Sequence, residues 1–304
     1  MYDLIIIGAG PAGLSAAVYG IRAGLKLLVL EQSPISGGQI LNTYEVDNYL
    51  GLPGISGYDM GQTFRSHADK LGVEFVEARV RSIEDLEDHK VIHTRKQDYE
   101  CRAVLVATGA NHAHLGVPGE EELSGMGVSY CATCDGAFFK GRTVAVVGGG
   151  DVALEDAIYL AALCERVYVV HRRDEFRGAA VLQKQLMELS NVTILTSHTI
   201  KEICGEDSVE EILLLDGKSG EEKKLAVSGV FVAVGIHPET ELLKDMVACD
   251  EAGYVLAGED GMTSCPGILV AGDIRKKPLR QVITAVADGA NAAVAAENYL
   301  RTLI

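Results

Sequence analysis

A chain of 304 residues, 48% hydrophobic and 23% charged, has enough apolar side chain for one large or two medium globular domains, each with its own core. Its formal net charge of −16 disfavours nucleic acid and anionic membrane as partners. Cys101, Cys164, Cys204, Cys249 and Cys265 are scattered singly among the 7 cysteines, which is no secreted disulfide framework. No targeting segment is read, and the cytoplasm is the expected compartment.

The uncharged run from Leu4 to Ile21 has the length of a membrane helix. Gly8, Gly10, Pro11, Gly13 and Gly20 interrupt it, and it reads instead as strand, turn and helix. Leu4-Ile5-Ile6-Ile7 is a continuous apolar run, as a buried parallel strand requires. Gly8-Ala9-Gly10-Pro11-Ala12-Gly13 then matches a dinucleotide-binding turn, in which Gly8 permits the tight turn, Gly10 lets backbone approach a pyrophosphate and Gly13 allows close helix packing. The helix over 12–23 stops at Gly24, and its N-terminus offers unpaired N–H groups to phosphates. A second strand over 26–30 ends at Glu31, where a carboxylate accepts bonds from ribose hydroxyls. Gly37-Gly38-Gln39 and Asp47-Asn48-Tyr49 sit in a loop long enough to imply function. A helix over 58–71 follows, then strands over 74–76, 91–94 and 103–107. The last closes a first nucleotide unit at Thr108-Gly109-Ala110.

The pattern then repeats. A strand over 143–147 meets Gly148-Gly149-Gly150-Asp151-Val152-Ala153, a GxGxxA turn, followed by a helix to about 163 and a strand over 166–170. His171 stands at the same offset from Gly148 as Glu31 does from Gly8. It is not acidic, and Arg172, Arg173 and Arg177 follow it. NAD needs an acceptor for a free 2′-hydroxyl, whereas NADP brings a phosphate there. Each guanidinium–phosphate bond nets roughly 1.5–3 kcal/mol, so NADPH is expected at this site.

Ahead of the second turn lies Cys131-Ala-Thr-Cys134-Asp135. Two cysteines so spaced close a disulfide reversibly, and such pairs often hold a thiolate near neutral pH. Asp135 is expected to carry the proton that comes and goes as the leaving thiolate forms. A zinc site would usually need a second close cysteine pair, which the chain lacks, so no metal is expected. Inert core thiols are the other reading of the motif alone. Further strands are read over 209–215, 230–234 and 268–271, the last ending in Gly272-Asp273. A basic loop leads to an alanine-rich helix over 281–300, with Gly289 a mild flaw in it. Its N-terminus, at Arg280-Gln281-Val282, would face a developing negative charge such as that of a reduced flavin.

These marks in order, with Gly38-Gln39, Asn48-Tyr49, Ala107-Thr108-Gly109, the Cys131–Asp135 motif, His171 to Arg177, and Gly272-Asp273 with Arg280-Gln281, resemble the low-molecular-weight thioredoxin reductases across essentially the whole chain. The resemblance implies an α/β fold of two Rossmann-like, three-layer dinucleotide-binding domains, the second inserted into the first. The FAD-binding domain would comprise 1–114 and 244–304, and the NADPH-binding domain with its redox-active CxxC would comprise 115–243. Linkers are placed near 112–117 and 240–244. FAD would be held by Gly8, Gly10, Pro11, Ala12, Gly13, Glu31, Gly38, Gln39, Asn48, Thr108, Gly109, Asp273, Arg280, Gln281 and Val282. NADPH would be held by Gly148, Gly150, Asp151, Val152, Ala153, His171, Arg172, Arg173 and Arg177.

The implied enzyme is a homodimeric thioredoxin-disulfide reductase, passing electrons from NADPH by way of FAD and Cys131–Cys134 to thioredoxin or a thioredoxin-like small disulfide protein. Cys134 would meet the flavin and Cys131 the partner, with rotation of the NADPH domain between the two tasks. The chain departs from the family at Val152, which stands where serine is frequent, and at Asp151, which brings a carboxylate toward the phosphates. A ferredoxin-dependent flavin thioredoxin reductase, a flavin-dependent dithiol oxidase and a non-catalytic NADPH or redox sensor are the competing readings.

Overall fold

The computed structural model describes residues 1–303 apart from Tyr44 and Glu87. The chain forms two compact units, residues 1–111 with 237–304, and residues 112–236. Both crossings come earlier than the boundaries read from sequence, after 114 and after 243. Each falls on a short strand, β7 (Ala110–His112) and β16 (Ile236–Pro238), and not in the polar stretches that follow. Backbone bonds fasten both flanks: Glu239 N–H donates to Gly109 at 2.9 Å in the first unit, and Ala113 N–H to Gly235 at 2.9 Å in the second.

In the first unit β1 (Tyr2–Ile7), α1 (Pro11–Arg22), β2 (Leu27–Glu31), α2 (Gly57–Lys70), β3 (Glu74–Glu77), β4 (Val80–Asp85), β5 (Lys90–Thr94) and β6 (Asp98–Val106) precede β7. Leu4, Ile5 and Ile6 of β1 are fully buried because both faces of the strand are covered. Ser56 caps α2, accepting from Asp59 N–H at 3.0 Å. β4 was not legible in the sequence. Only Ile83 of that strand is buried, and Arg81, Ser82, Glu84 and Asp85 are exposed, the last pairing with Lys90.

The second unit holds β8 (Val128–Ser129), α3 (Ala132–Asp135), β9 (Thr143–Gly148), α4 (Asp151–Ala161), β10 (Arg166–His171), α5 (Ala180–Met187), β11 (Val192–Thr196), β12 (His198–Cys204), β13 (Glu211–Asp216), β14 (Glu222–Ala226) and β15 (Gly229–Ala233), and ends at β16. Five parallel strands run in the order β11-β10-β9-β15-β8, and β12-β13-β14 form a separate antiparallel sheet. The strand expected over 209–215 begins two residues later, since buried Val209 lies in the preceding loop, its N–H donating to Met126 at 2.9 Å.

The chain returns to the first unit with β17 (Ile268–Val270) and α6 (Val282–Arg301). β17 pairs with the C-terminal half of β6, completing a seven-stranded sheet of order β3-β2-β1-β6-β5-β4. β5 takes the N-terminal half of β6 and is antiparallel to it. α6 lies against α1, and Gly289 is the residue that lets it: a Cβ there would stand 2.0 Å from the Ala12 carbonyl oxygen. What reads in sequence as a helix weakness is the contact point of two helices.

Candidate active site

The first turn has the geometry that its sequence requires. Gly8 has φ +102°, and a Cβ there would stand 2.5 Å from the Ala107 carbonyl oxygen, so no side chain fits. Gly10 is the N-cap of α1 and Pro11 its first residue. Proline has no N–H to leave unpaired, so the donors that the helix offers at this end are those of Ala12 and Gly13. Gly37 N–H donates to Ala9 at 2.9 Å, which brings the Gly37-Gly38 turn beside Gly10, and Gln39 follows on an exposed 3-10 turn. Glu31 ends β2 as expected. Its carboxylate accepts from Ala9 N–H at 2.6 Å and Ser33 N–H at 2.9 Å, and its remaining lone pairs are open to hydroxyl donors.

The closing segment brings two expected residues together: Asn48 Nδ2 donates to Gln281 Oε1 at 2.9 Å. Gln281 caps α6 in a reciprocal box with Thr284. Val282 begins that helix, with its side chain against the small core of Ile40, Val46 and Met60. Thr108 is used by the chain itself, its hydroxyl donating to the Glu239 carbonyl at 2.7 Å, while Gly109 has open space where a side chain would stand. Arg280 stacks over Tyr254 with Cζ 4.0 Å from the ring centre.

In the second turn Ala153 is fully buried, and its methyl fills the space beside Gly148. Above Gly150 nothing lies within 4 Å of a notional Cβ, which leaves room for a ligand to approach the backbone. The arginine loop is bonded to this turn: Arg177 and Gly178 N–H both donate to the Gly149 carbonyl, at 2.7 and 3.0 Å. Asp151 joins the same arrangement, accepting from Ala179 N–H at 2.7 Å, so one carboxylate oxygen is engaged by backbone. Val152 is 52% exposed.

Arg172, Arg173 and Arg177 are exposed, and among the described residues none of their guanidiniums has an ion-pair partner. Asp174, which would dilute their charge, is taken up by the Lys218 ammonium at 2.5 Å and by the Ser197 hydroxyl. Those bonds hold its carboxyl below the usual range. His171 differs from its arginine neighbours. Its ring is buried against Gly149 and Phe176, with Nε2 3.1 Å from the Glu175 carbonyl. Burial, with the nearby arginines, keeps its pKa low, so it enters the loop as a neutral spacer and adds no charge.

The dithiol stands at the start of α3 as a disulfide, Cys131 being the N-cap, with Cys131 and Cys134 Cα atoms 5.3 Å apart. Cys131 Sγ receives the Cys134 N–H at 3.2 Å and lies 3.5 Å from the Thr133 hydroxyl, donors that would favour a thiolate at Cys131. Ser129, which the sequence did not single out, organises the site. Its hydroxyl donates to Asp135 Oδ2 at 2.6 Å and accepts from Cys131 N–H at 3.1 Å. Burial pushes the Asp135 carboxyl up, and the Ser129 bond offsets that only in part.

Two glycine turns opening βαβ units, a disulfide ahead of the second, and full-length likeness to known proteins agree. The sequence model of the family described as Pyridine nucleotide-disulphide oxidoreductase matches residues 2–289. The chain belongs to this family. A thioredoxin reductase of Bacillus subtilis (strain 168) is 42% identical over 304 residues, covering 100% of this chain and 96% of that one. The crystal structure of thioredoxin reductase from Streptococcus pyogenes MGAS5005 superposes with a TM-score of 0.96 at 42% identity, covering 99% of each chain. A ferredoxin-flavin thioredoxin reductase from Clostridium acetobutylicum gives 0.54 at 32% identity, covering 99% of this chain and 98% of that one.

A pyridine nucleotide-disulphide oxidoreductase is expected to use a flavin and a pyridine nucleotide, and the residues present fit both. In the first unit Asp273 Oδ1 and Arg280 Nε are buried and, among the described residues, have no hydrogen-bond partner, a carboxylate acceptor and a guanidinium donor beside the expected flavin residues. In the second, the space above Gly150 and the three unpaired guanidiniums suit a nucleotide with an added phosphate. Sequence reading of this oxidoreductase also missed Arg275, Lys277, Thr284 and Asp288. Nothing in their local spacing marks them, because they act as a cluster folded from a loop and a helix.

Proposed function

We propose that this oxidoreductase is a thioredoxin-disulfide reductase, with NADPH as reductant, FAD as bound cofactor and Cys131–Cys134 as the exchanging disulfide. The observation that carries the proposal is the disulfide held with the Ser129–Asp135 pair, in a unit whose arginine loop has three unengaged guanidiniums. When bound, the flavin would supply two-electron chemistry between a nicotinamide and a disulfide.

The chain's own residues then perform the exchange. In the reduced enzyme the Cys131 thiolate attacks one sulfur of the partner's disulfide, and the other partner sulfur leaves as a thiolate and takes a proton. The Cys134 thiolate attacks Cys131 Sγ, re-forming the internal disulfide and releasing the second partner thiol. Two electrons pass to the partner for each cycle, and its two sulfurs, released as thiolates, take up two protons from the site and from solvent. Burial disfavours the charged form of Asp135 and raises its pKa above the ordinary carboxylate value, which suits it to carry a proton, and the Ser129 hydroxyl fixes its orientation.

NADPH fits the second unit better than NADH, since the offset that carries Glu31 in the first unit carries neutral His171 and then arginines here. A homodimer and a cytoplasmic location are carried over from the family resemblance, to be checked by sedimentation and by cell fractionation. The direct test of the exchange is Cys131→Ser. That variant should still consume NADPH with a small-molecule electron acceptor and should lose thioredoxin reduction. Undiminished thioredoxin turnover in Cys131→Ser would remove Cys131 from the exchange.

A further inference from the structure

The loop after Asp273 holds a cluster of buried charge. Lys277 is 8% exposed and Asp288, on α6, is 5% exposed. A buried carboxylate is costly unless bonded, and Asp288 is well bonded. Arg275 Nε and Nη2 donate to its two oxygens at 2.9 and 2.6 Å, Gly272 N–H donates at 3.1 Å and Lys277 Nζ at 3.2 Å. The Lys277 ammonium also reaches Thr284 Oγ1 at 3.4 Å. Thr284 Oγ1 in turn lies 3.1 Å from the Gln281 N–H that donates to it, and belongs to the cap of α6.

Asp273 is contacted differently. Its Oδ1 stands 3.0 Å from Lys277 Nζ, yet the contact lacks hydrogen-bond alignment, and among the described residues that oxygen has no hydrogen-bond partner. The ammonium supplies charge to Asp273 while leaving the acceptor direction of Oδ1 open. One buried cation therefore joins two of the residues expected to hold the flavin: Asp273 directly, and Gln281 by way of Thr284.

We propose that Lys277 is a positioning residue for the flavin, holding Asp273 with Oδ1 presented to a hydroxyl donor and fixing the first turn of α6. This rests on the flavin reading above. Arg275 and Asp288 are the frame that keeps Lys277 buried in place.

The test is titration of flavin-free protein with FAD, followed by quenching of flavin fluorescence, in a cycle of wild type, Lys277→Met, Asp273→Asn and the double variant, with melting temperatures measured on each flavin-free protein. Lys277→Met should raise the FAD dissociation constant about tenfold, and in the Asp273→Asn background it should add no more than about twofold. If Lys277→Met does not fold, Lys277→Gln carries the same cycle. Equal losses in both backgrounds would overturn the proposal. A lowered melting temperature with unchanged FAD affinity would do the same, as would an Asp273→Asn protein that binds FAD like the parent. Failure of the wild type to bind FAD would overturn the flavin reading and this inference together. Normal binding by wild type and Lys277→Met alike would overturn this inference alone.

Discussion

Asp135 follows Cys134 directly, and the proposed exchange draws on its proton. Burial raises its pKa, so the folded protein keeps that proton to higher pH than an exposed carboxyl would. The ionised form is the costly one here. The contribution of Asp135 to stability is therefore intact below the ordinary carboxylate range and declines as pH rises from there through the elevated folded value. With the proton role proposed for it, Asp135→Asn should lower thioredoxin turnover by roughly 10²-fold while leaving NADPH consumption with an artificial acceptor in place. Steady-state rates across pH check this: the fall with rising pH expected of the parent should be absent in the variant. Turnover and pH profile equal to the parent's would take Asp135 out of the proton path. Cys131, Cys134, Asp135 and Glu31 were legible in sequence because each is defined by a short, fixed offset from a neighbour. Ser129, Lys277 and Asp288 were not. Ser129 looks like any small polar residue at a strand end, and Lys277 and Asp288 meet only once the loop folds onto α6.

At the scale of elements, the second turn and the arginine loop behave as one device. Three backbone or side-chain bonds to Gly149 and Asp151, together with the buried His171 ring against Gly149, set where Arg172, Arg173 and Arg177 begin. The guanidiniums project from a rigid base, and little ordering would be needed to meet a phosphate. Arg172→Ala with Arg173→Ala should weaken NADPH binding roughly tenfold to hundredfold and leave NADH binding nearly unchanged, as read by KM for each nucleotide. An equal effect on both nucleotides would assign the arginines to general electrostatics and not to 2′-phosphate recognition. The glycine turns were legible since they join a period-free apolar run to a helix start. The antiparallel sheet was only partly so. β14 reads Glu-Lys-Lys-Leu-Ala and is mostly exposed, so it has no apolar alternation to betray it. Gly289 was misread for the opposite reason: its use depends on Ala12, far away in the chain.

For the whole molecule, the order of parts matters more than any one of them. A nucleotide-binding unit is opened at β7, a second with the dithiol is inserted, and the first is completed by β17, α6 and the loop between them, which carries Asp273, Lys277 and Gln281. This order is why the first unit cannot be finished until the last 68 residues, 237–304, have been made. Sequence pattern placed both glycine turns and the return of the chain, because each begins with a buried parallel strand ending in glycine. It placed the crossings a few residues late, since β7 and β16 are too short to have a pattern. Among the described residues no helix is long and apolar enough to cross a membrane. The central claim is that a nicotinamide and the Cys131–Cys134 pair exchange electrons through a bound flavin, and an anaerobic absorbance titration tests it most directly. NADPH should bleach the flavin band of the purified protein, and oxidised thioredoxin should then restore it. Protein that takes up no flavin, or a flavin band that NADPH leaves unchanged, would contradict the account.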